Sequence, residues 1–361
     1  DSNINIYSHQ LGKFLDKLTF GLEFETTAGY IPERITKKLG LIPLRDGSIP
    51  GLEYVTVPLS GPKGVQTVVD ICKELEKRTV FNNSCALHLH IGGVPRTPEF
   101  ILAFLKLSSW IQNDIFSLFP LFKNKNYSKP YDLFEIFSKL DPVINSSNIN
   151  KNFDVLFSFL TSDRATFKDY NNDLNQVQVH PSDPSMNQKW NIKNRYFFHN
   201  YIPLIFGNKQ TIEFRIHTPT FDNYRVLMFL LFNSMLIKFT EKYQSKILQE
   251  PNFFKMISNN GDSRSNLFNL LYFYRNNEKI SSEVSIMIRS LTSYFQTRKS
   301  ETESLTRKGK IEFEDKDIHF HSEVNFDINR NISCEKSNIK LEPELPSLGP
   351  ETLQEITNVI S

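Results

Sequence analysis

Cysteine is scarce in this chain of 361 residues: Cys72, Cys85 and Cys334 are the full set. An odd number at wide spacing, with no C-x-x-C pair, points away from a disulfide framework and from a thiolate metal site, and fits a reducing compartment. Charge of one sign is lacking too. With 42 Lys+Arg against 40 Asp+Glu the formal net charge is +2, so no global field draws the chain to nucleic acid or to an anionic membrane, and neither is expected as a partner. A long hydrophobic run is also missing. The most apolar segment, Val226 to Ile237, is interrupted by Asn233 and Ser234 and falls short of the roughly 20 residues a bilayer requires, so it reads as a buried helix. The first residues, Asp1 to Ile6, have neither a basic n-region nor an apolar h-region, which predicts no signal peptide and a cytoplasmic location. The chain opens without methionine, as a processed chain or part of a longer product would. The Gly-rich turn Ser60-Gly61-Pro62-Lys63-Gly64 lacks the spacing and the Lys-Ser/Thr pair of a P-loop, and there is no H-E-x-x-H motif to activate water on zinc.

What is present is apolar bulk. A hydrophobic content of 39%, with 31 Phe, suffices for a core of one large domain or two ordinary ones. The pattern predicts an α+β fold. Expected strands cover Leu18–Thr26, Leu52–Pro58, Cys85–Gly92, Tyr196–Phe206 and Ile212–His217, with a hairpin turn at Asp46-Gly47. Expected helices cover Ile31–Leu39, Gly61–Lys77, Pro98–Phe119, Tyr131–Leu140, Phe153–Leu160, Asp222–Gln249, Ser265–Asn276 and Ser282–Gln296, after a short helix or lead-in at Gln10–Lys17. The organisation read from this is one catalytic domain over residues 1–297, with a helical insertion at about 94–190 and a helical part at about 222–297. A polar, mobile tail is expected over 298–361.

Three of these strands share a pattern. In Phe20-Gly21-Leu22-Glu23-Phe24-Glu25, side chains alternate faces, so both carboxylates point one way and the apolar residues the other. Leu87-His88-Leu89-His90-Ile91 and Ile212-Glu213-Phe214-Arg215-Ile216-His217 repeat the arrangement with imidazoles and with a Glu/Arg pair. This is the pattern of a sheet with helices on one face. Each motif alone has a plain reading as a solvated strand face. Together, with Glu53 the lone charge in its strand, they suit a divalent cation. Paired carboxylates repel without a compensating charge, and carboxylates beside imidazole favour magnesium or manganese over zinc. An Arg two residues from a Glu, on the same face, can take a phosphate oxygen by forked hydrogen bonds. A metal-dependent hydrolase using His88, His90 and a Glu ranks behind phosphoryl transfer for want of a water-activating motif.

The order F-G-L-E-F-E, then D-G-S-x-x-x-L-E-Y-V-x-x-P-L-S-G, S-C-A-L-H-L-H-I, R-Y-F-F-H-N and T-I-E-F-R resembles the amidoligase family. That family belongs to the glutamine synthetase and glutamate–cysteine ligase superfamily of carboxylate–amine ligases. The resemblance covers roughly Thr19 to Phe221, with an unmatched middle. It implies a curved, mainly antiparallel sheet of glutamine-synthetase-like type that binds ATP with Mg²⁺ or Mn²⁺. By motif position Glu23, Glu25, Glu53, His88 and Glu213 are implied as cation ligands, His90 and Arg215 as phosphate contacts, and Arg195 and Asn200 as residues near nucleotide or substrate. Arg215 and Glu213 are the implied catalytic pair. The implied activity joins a carboxylate to an amine, on an amino acid, peptide or protein, through an acyl phosphate. Ala86 departs from the family pattern, which has glycine before the His-x-His, and with the long insertion it motivates an alternative, a non-catalytic binding or structural module on the same fold.

Overall fold

Residues of strand periodicity and residues of helical periodicity separate into a sheet and a helical layer. The computed structural model describes residues 2–119, 128, 197–206, 209–261, 263–277 and 282–307, residue 83 excepted. The elements are α1 (Ser2–Leu15), β1 (Thr19–Glu25), β2 (Ala28–Gly29), α2 (Glu33–Leu39), β3 (Leu41–Leu44), β4 (Glu53–Thr56), β5 (Leu59–Ser60), α3 (Gly61–Arg78), β6 (Thr79–Val80), β7 (Leu87–Gly92) and α4 (Pro98–Leu118). They continue with β8 (His199–Asn200), α5 (Ile202–Phe206), β9 (Ile212–His217), α6 (Asn223–Gln249), α7 (Phe253–Asn260), α8 (Asn266–Asn277) and α9 (Ser282–Arg307). The helices expected at Tyr131–Leu140 and Phe153–Leu160, and Arg195, lie outside the described residues.

The fold is α+β. The main sheet runs β3-β4-β1-β7-β9-β8, with β5 pairing the start of β1. Its pairings are antiparallel throughout. Its path is open and uncurled, with β3 and β8 as edges, where a curved sheet was expected. Pro43 withholds an N–H from the β3 edge, which discourages a further strand from pairing there. The apolar face comes from Phe20, Leu22 and Phe24 of β1, Leu87, Leu89 and Ile91 of β7, and Ile212 and Phe214 of β9, all buried. Helices cover that face. Phe104 of α4 meets Phe214 edge-on with ring centres 6.2 Å apart, and α6 is buried along most of its length, as its apolar sequence predicts. Asp222 caps α6 by accepting a hydrogen bond from Arg225 N at 3.2 Å. Gly12 lets α1 lie directly on α3, since a Cβ there would stand 2.3 Å from Pro62 Cα. Among the described residues, no helix is long and apolar enough to cross a membrane.

Three expectations change. The described part of Tyr196–Phe206 is not one strand: His199–Asn200 pairs with β9, Phe198 O accepts from Arg215 N at 2.9 Å, and Ile202–Phe206 is a helical turn. Pro203 cannot donate to a ladder but suits the first turn of a helix, and Asn200 Oδ1 accepts from Ile202 N at 3.0 Å to start it. Second, the last helix runs to Arg307, beyond the expected end at Gln296. Arg298 donates to Leu118 O at 3.3 Å and Glu301 pairs with Arg225 at 3.1 Å, so charged residues here are anchored inward. Third, His217 does not share the face of Glu213 and Arg215. Leu89 pairs with Phe214 but Leu87 pairs with His217, a bulge that places one more residue on β9 than on β7. His217 is thereby turned into the helical layer, 4.7 Å ring to ring from Phe229.

Candidate functional site

Register brings the polar faces of four strands together. Glu25 pairs with Glu53 and Glu23 with Val55 across β1 and β4, Glu23 pairs with His88 across β1 and β7, and His90 pairs with Glu213 across β7 and β9. The hairpin loop between β3 and β4 adds Asp46, whose carboxylate accepts from Ser48 N at 2.8 Å in an Asx turn.

Ligand atoms of Glu23, Glu53 and His88 lie within 4.8 Å of one another, as do those of Glu23, His90 and Glu213, and those of Glu25, Asp46 and Glu53. Glu23 and Glu53 each belong to two groups, so the three form one continuous strip across the sheet. The contacts within it are close. His88 Nδ1 lies 3.3 Å from Glu23 Oε2 and 3.7 Å from Glu213 Oε1. His90 Nε2 lies 3.0 Å from Glu23 Oε1 but without a hydrogen bond's alignment, and this buried nitrogen has no hydrogen-bond partner. The opposite ring nitrogen, Nδ1, is 2.9 Å from Thr211 Oγ1, which fixes the ring's orientation. Asn200 Nδ2 donates to Glu213 Oε2 at 2.7 Å, and Arg215 pairs with Glu213 Oε1 through one guanidinium nitrogen. Lys209 Nζ reaches Glu23 Oε1 at 3.0 Å from the turn before β9.

The electrostatics follow from this crowding. Burial alone would raise the Glu23 pKa, but the hydrogen bond with His88 and the charge of His88 and His90 outweigh it and hold the carboxyl well below its usual range. Glu213 is likewise buried and likewise held low, by Arg215, His90 and His88. Glu53 goes the other way. Burial, then the charges of Glu23, Glu25 and Asp46, push it up to about 8. Among the described residues the carboxylates of the strip outnumber the cations Lys209 and Arg215, and Glu53 retains a proton at neutral pH. A divalent cation fits such a site on two counts: the excess acid charge, and the aligned oxygen and imidazole donors with His90 Nε2 turned into the group.

Of the residues singled out in the sequence, Glu23, Glu25, Glu53, His88, His90, Glu213, Arg215 and Asn200 lie on this one surface. His90, implied as a phosphate contact, sits among the carboxylates. Arg215 leans on Glu213. Ala86 stands before β7 with its carbonyl accepting from Glu25 N at 3.3 Å. Asp46, Lys209 and Thr211 were not anticipated as site residues. Each lies outside strand periodicity, and only Asp46 carried a signal, as the first residue of the Asp-Gly turn. The chain matches no protein-family model, no curated protein and no solved structure.

Proposed function

We propose that the protein is an ATP-dependent carboxylate–amine ligase of amidoligase type, built on a glutamine-synthetase-like sheet. The observation that carries this reading is the convergence of Glu23, Glu53, His88, His90, Glu213 and Arg215 on one face of an antiparallel sheet. Donors for cations and a guanidinium for phosphate are thus side by side. Glu23, Glu25, Glu53, His88 and Glu213 would hold Mg²⁺ or Mn²⁺, which when bound screens the phosphate charge of ATP.

A carboxylate does not acylate an amine unaided. In the proposed reaction a substrate carboxylate oxygen attacks the γ-phosphorus of ATP, the bond to the β-phosphate oxygen breaks, and ADP leaves. The amine then attacks the acyl-phosphate carbonyl carbon, phosphate departs, and the amine nitrogen gives up a proton. Arg215 stabilises the phosphoryl oxygens during transfer, and Glu213, itself held by Asn200, keeps the guanidinium in place. The protein's work is positioning and charge compensation.

The test is ADP release, screened against pooled amino acids and peptides with Mg²⁺. Glu213→Ala is expected to remove most of the activity with the fold intact by circular dichroism, and near-normal turnover in that variant would overturn the assignment. The second reading, a non-catalytic binding module, draws on the Lys209–Glu23 and Arg215–Glu213 pairs, which already satisfy part of the acid charge from within the chain. No thermal shift at about millimolar ATP and Mg²⁺ would favour it, because any ligand of the native state stabilises by mass action.

A further inference from the structure

Lys209 has no role in the ligase mechanism above, yet its amine sits on the central carboxylate of the strip. Its side chain is 58% exposed while that of Glu23 is 12% exposed, so a solvent-side cation reaches down onto a carboxylate enclosed by the sheet. The oxygen it meets, Glu23 Oε1, is the one 3.0 Å from His90 Nε2. Glu23, His90 and Glu213 form one of the three cation-competent groups, and His90 Nε2, on a side chain 9% exposed, is the nitrogen with no hydrogen-bond partner. Between Lys209 and β9, Gln210 adopts φ 49°, uncommon for a residue with a side chain.

An ammonium and a divalent cation cannot both sit at full strength on one carboxylate oxygen. Their mutual repulsion and the loss of the Lys209–Glu23 pair both oppose metal entry. Phosphate oxygens arriving with nucleotide reverse the balance, since they give a displaced ammonium a new anionic partner beside the same site.

We propose that Lys209 is a tethered cation of the site: it competes with the divalent cation for Glu23 and moves to a phosphate oxygen when nucleotide enters, so that metal and nucleotide bind with positive coupling. This rests on the ligase reading for its nucleotide, but not for its metal.

The experiment measures Mn²⁺ binding by calorimetry and by the loss of the free-ion paramagnetic signal, in the full chain, for wild type, Lys209→Met and Lys209→Arg, with and without a non-hydrolysable ATP analogue. Removing an exposed competing charge is expected to tighten Mn²⁺ binding by roughly three- to tenfold in Lys209→Met, with Lys209→Arg close to wild type. With the analogue present the order reverses, and Lys209→Met binds nucleotide roughly tenfold more weakly. Equal Mn²⁺ affinities for wild type and Lys209→Met, weaker binding in Lys209→Met, or no Mn²⁺ binding in either protein overturns the proposal. Tighter Mn²⁺ binding with unchanged nucleotide affinity overturns the transfer to phosphate. ADP release with substrate is read separately, so failure of the ligase reading leaves its own mark.

Discussion

Glu53→Gln is expected to stabilise the protein in alkaline solution and to leave it unchanged in acid. Burial and the charges of Glu23, Glu25 and Asp46 push this carboxyl from 4.5 up to about 8, so the folded protein keeps a proton that the unfolded chain releases. The sign follows from the raised folded pKa. Its contribution to stability is fully present below 4.5 and is lost as the pH rises through about 8. At ~1.4 kcal/mol per pH unit the full gap corresponds to about 5 kcal/mol. The side chain is partly exposed, and solvent screening reduces the expected effect to roughly 2 kcal/mol, or about 3 °C in the unfolding midpoint for a chain of this size. Thermal denaturation followed by circular dichroism, in chelator and across about pH 5 to 9, separates the two proteins, because every other titrating group is common to both. The wild-type midpoint should fall below that of Glu53→Gln as pH rises. Mn²⁺ should restore the wild type at the alkaline end, where it takes the place of the lost proton, and do less for the variant, which lacks one ligand. Parallel curves over the whole range would show that Glu53 is already ionised near pH 5 and that the carboxylates do not share one unscreened surface.

Four further substitutions probe the hydrogen bonds and packing around the sheet. Asn200→Ala removes the 2.7 Å donor to buried Glu213 and the acceptor that starts α5, and is expected to cost about 1–3 kcal/mol in urea denaturation; no loss would mean that Asn200 does not support Glu213. Gly12→Ala forces a methyl to 2.3 Å from Pro62 Cα, so α1 must move off α3, with an expected loss of roughly 1–3 kcal/mol. An unchanged midpoint would show that the two helices do not pack as described. Tyr294→Phe deprives His217 Nε2 of its partner at 3.1 Å and should cost about 1 kcal/mol. Burial, with Arg298 nearby, holds His217 well below the ordinary imidazole value of 6.5, so its share of stability is present above that value and is lost as pH falls. Replacing His217 by Gln should therefore flatten the acid limb of the stability curve.

How much of this was legible in the sequence depends on what each feature rests on. Period-two alternation is local, so the faces of Glu23 with Glu25, of His88 with His90 and of Glu213 with Arg215 could be read directly, whereas whether they form one surface stayed open until strand register joined them. Long apolar runs gave α4 and α6 for the same reason, since a helix buried on nearly every side must be apolar on nearly every side. His217 shows where this stops. Its face is set by one extra residue in β9 relative to β7, and a bulge belongs to the pairing of two strands and leaves no trace in either alone. Tyr196–Phe206 is rich in aromatics, which suggests a strand, but Pro203 cannot donate to a ladder and suits the helical turn that is found there. Lys209 and Thr211 carried no such signal. They reach the site from a turn, where no periodicity fixes direction, and their contribution is visible only once β9 is seen returning beside β7 and bringing its lead-in over Glu23. The strands thus supply the fixed carboxylates and imidazoles, which pattern reveals. The loops supply Asp46 and Lys209, whose approach to the site depends on where the strands bring each loop and not on periodicity.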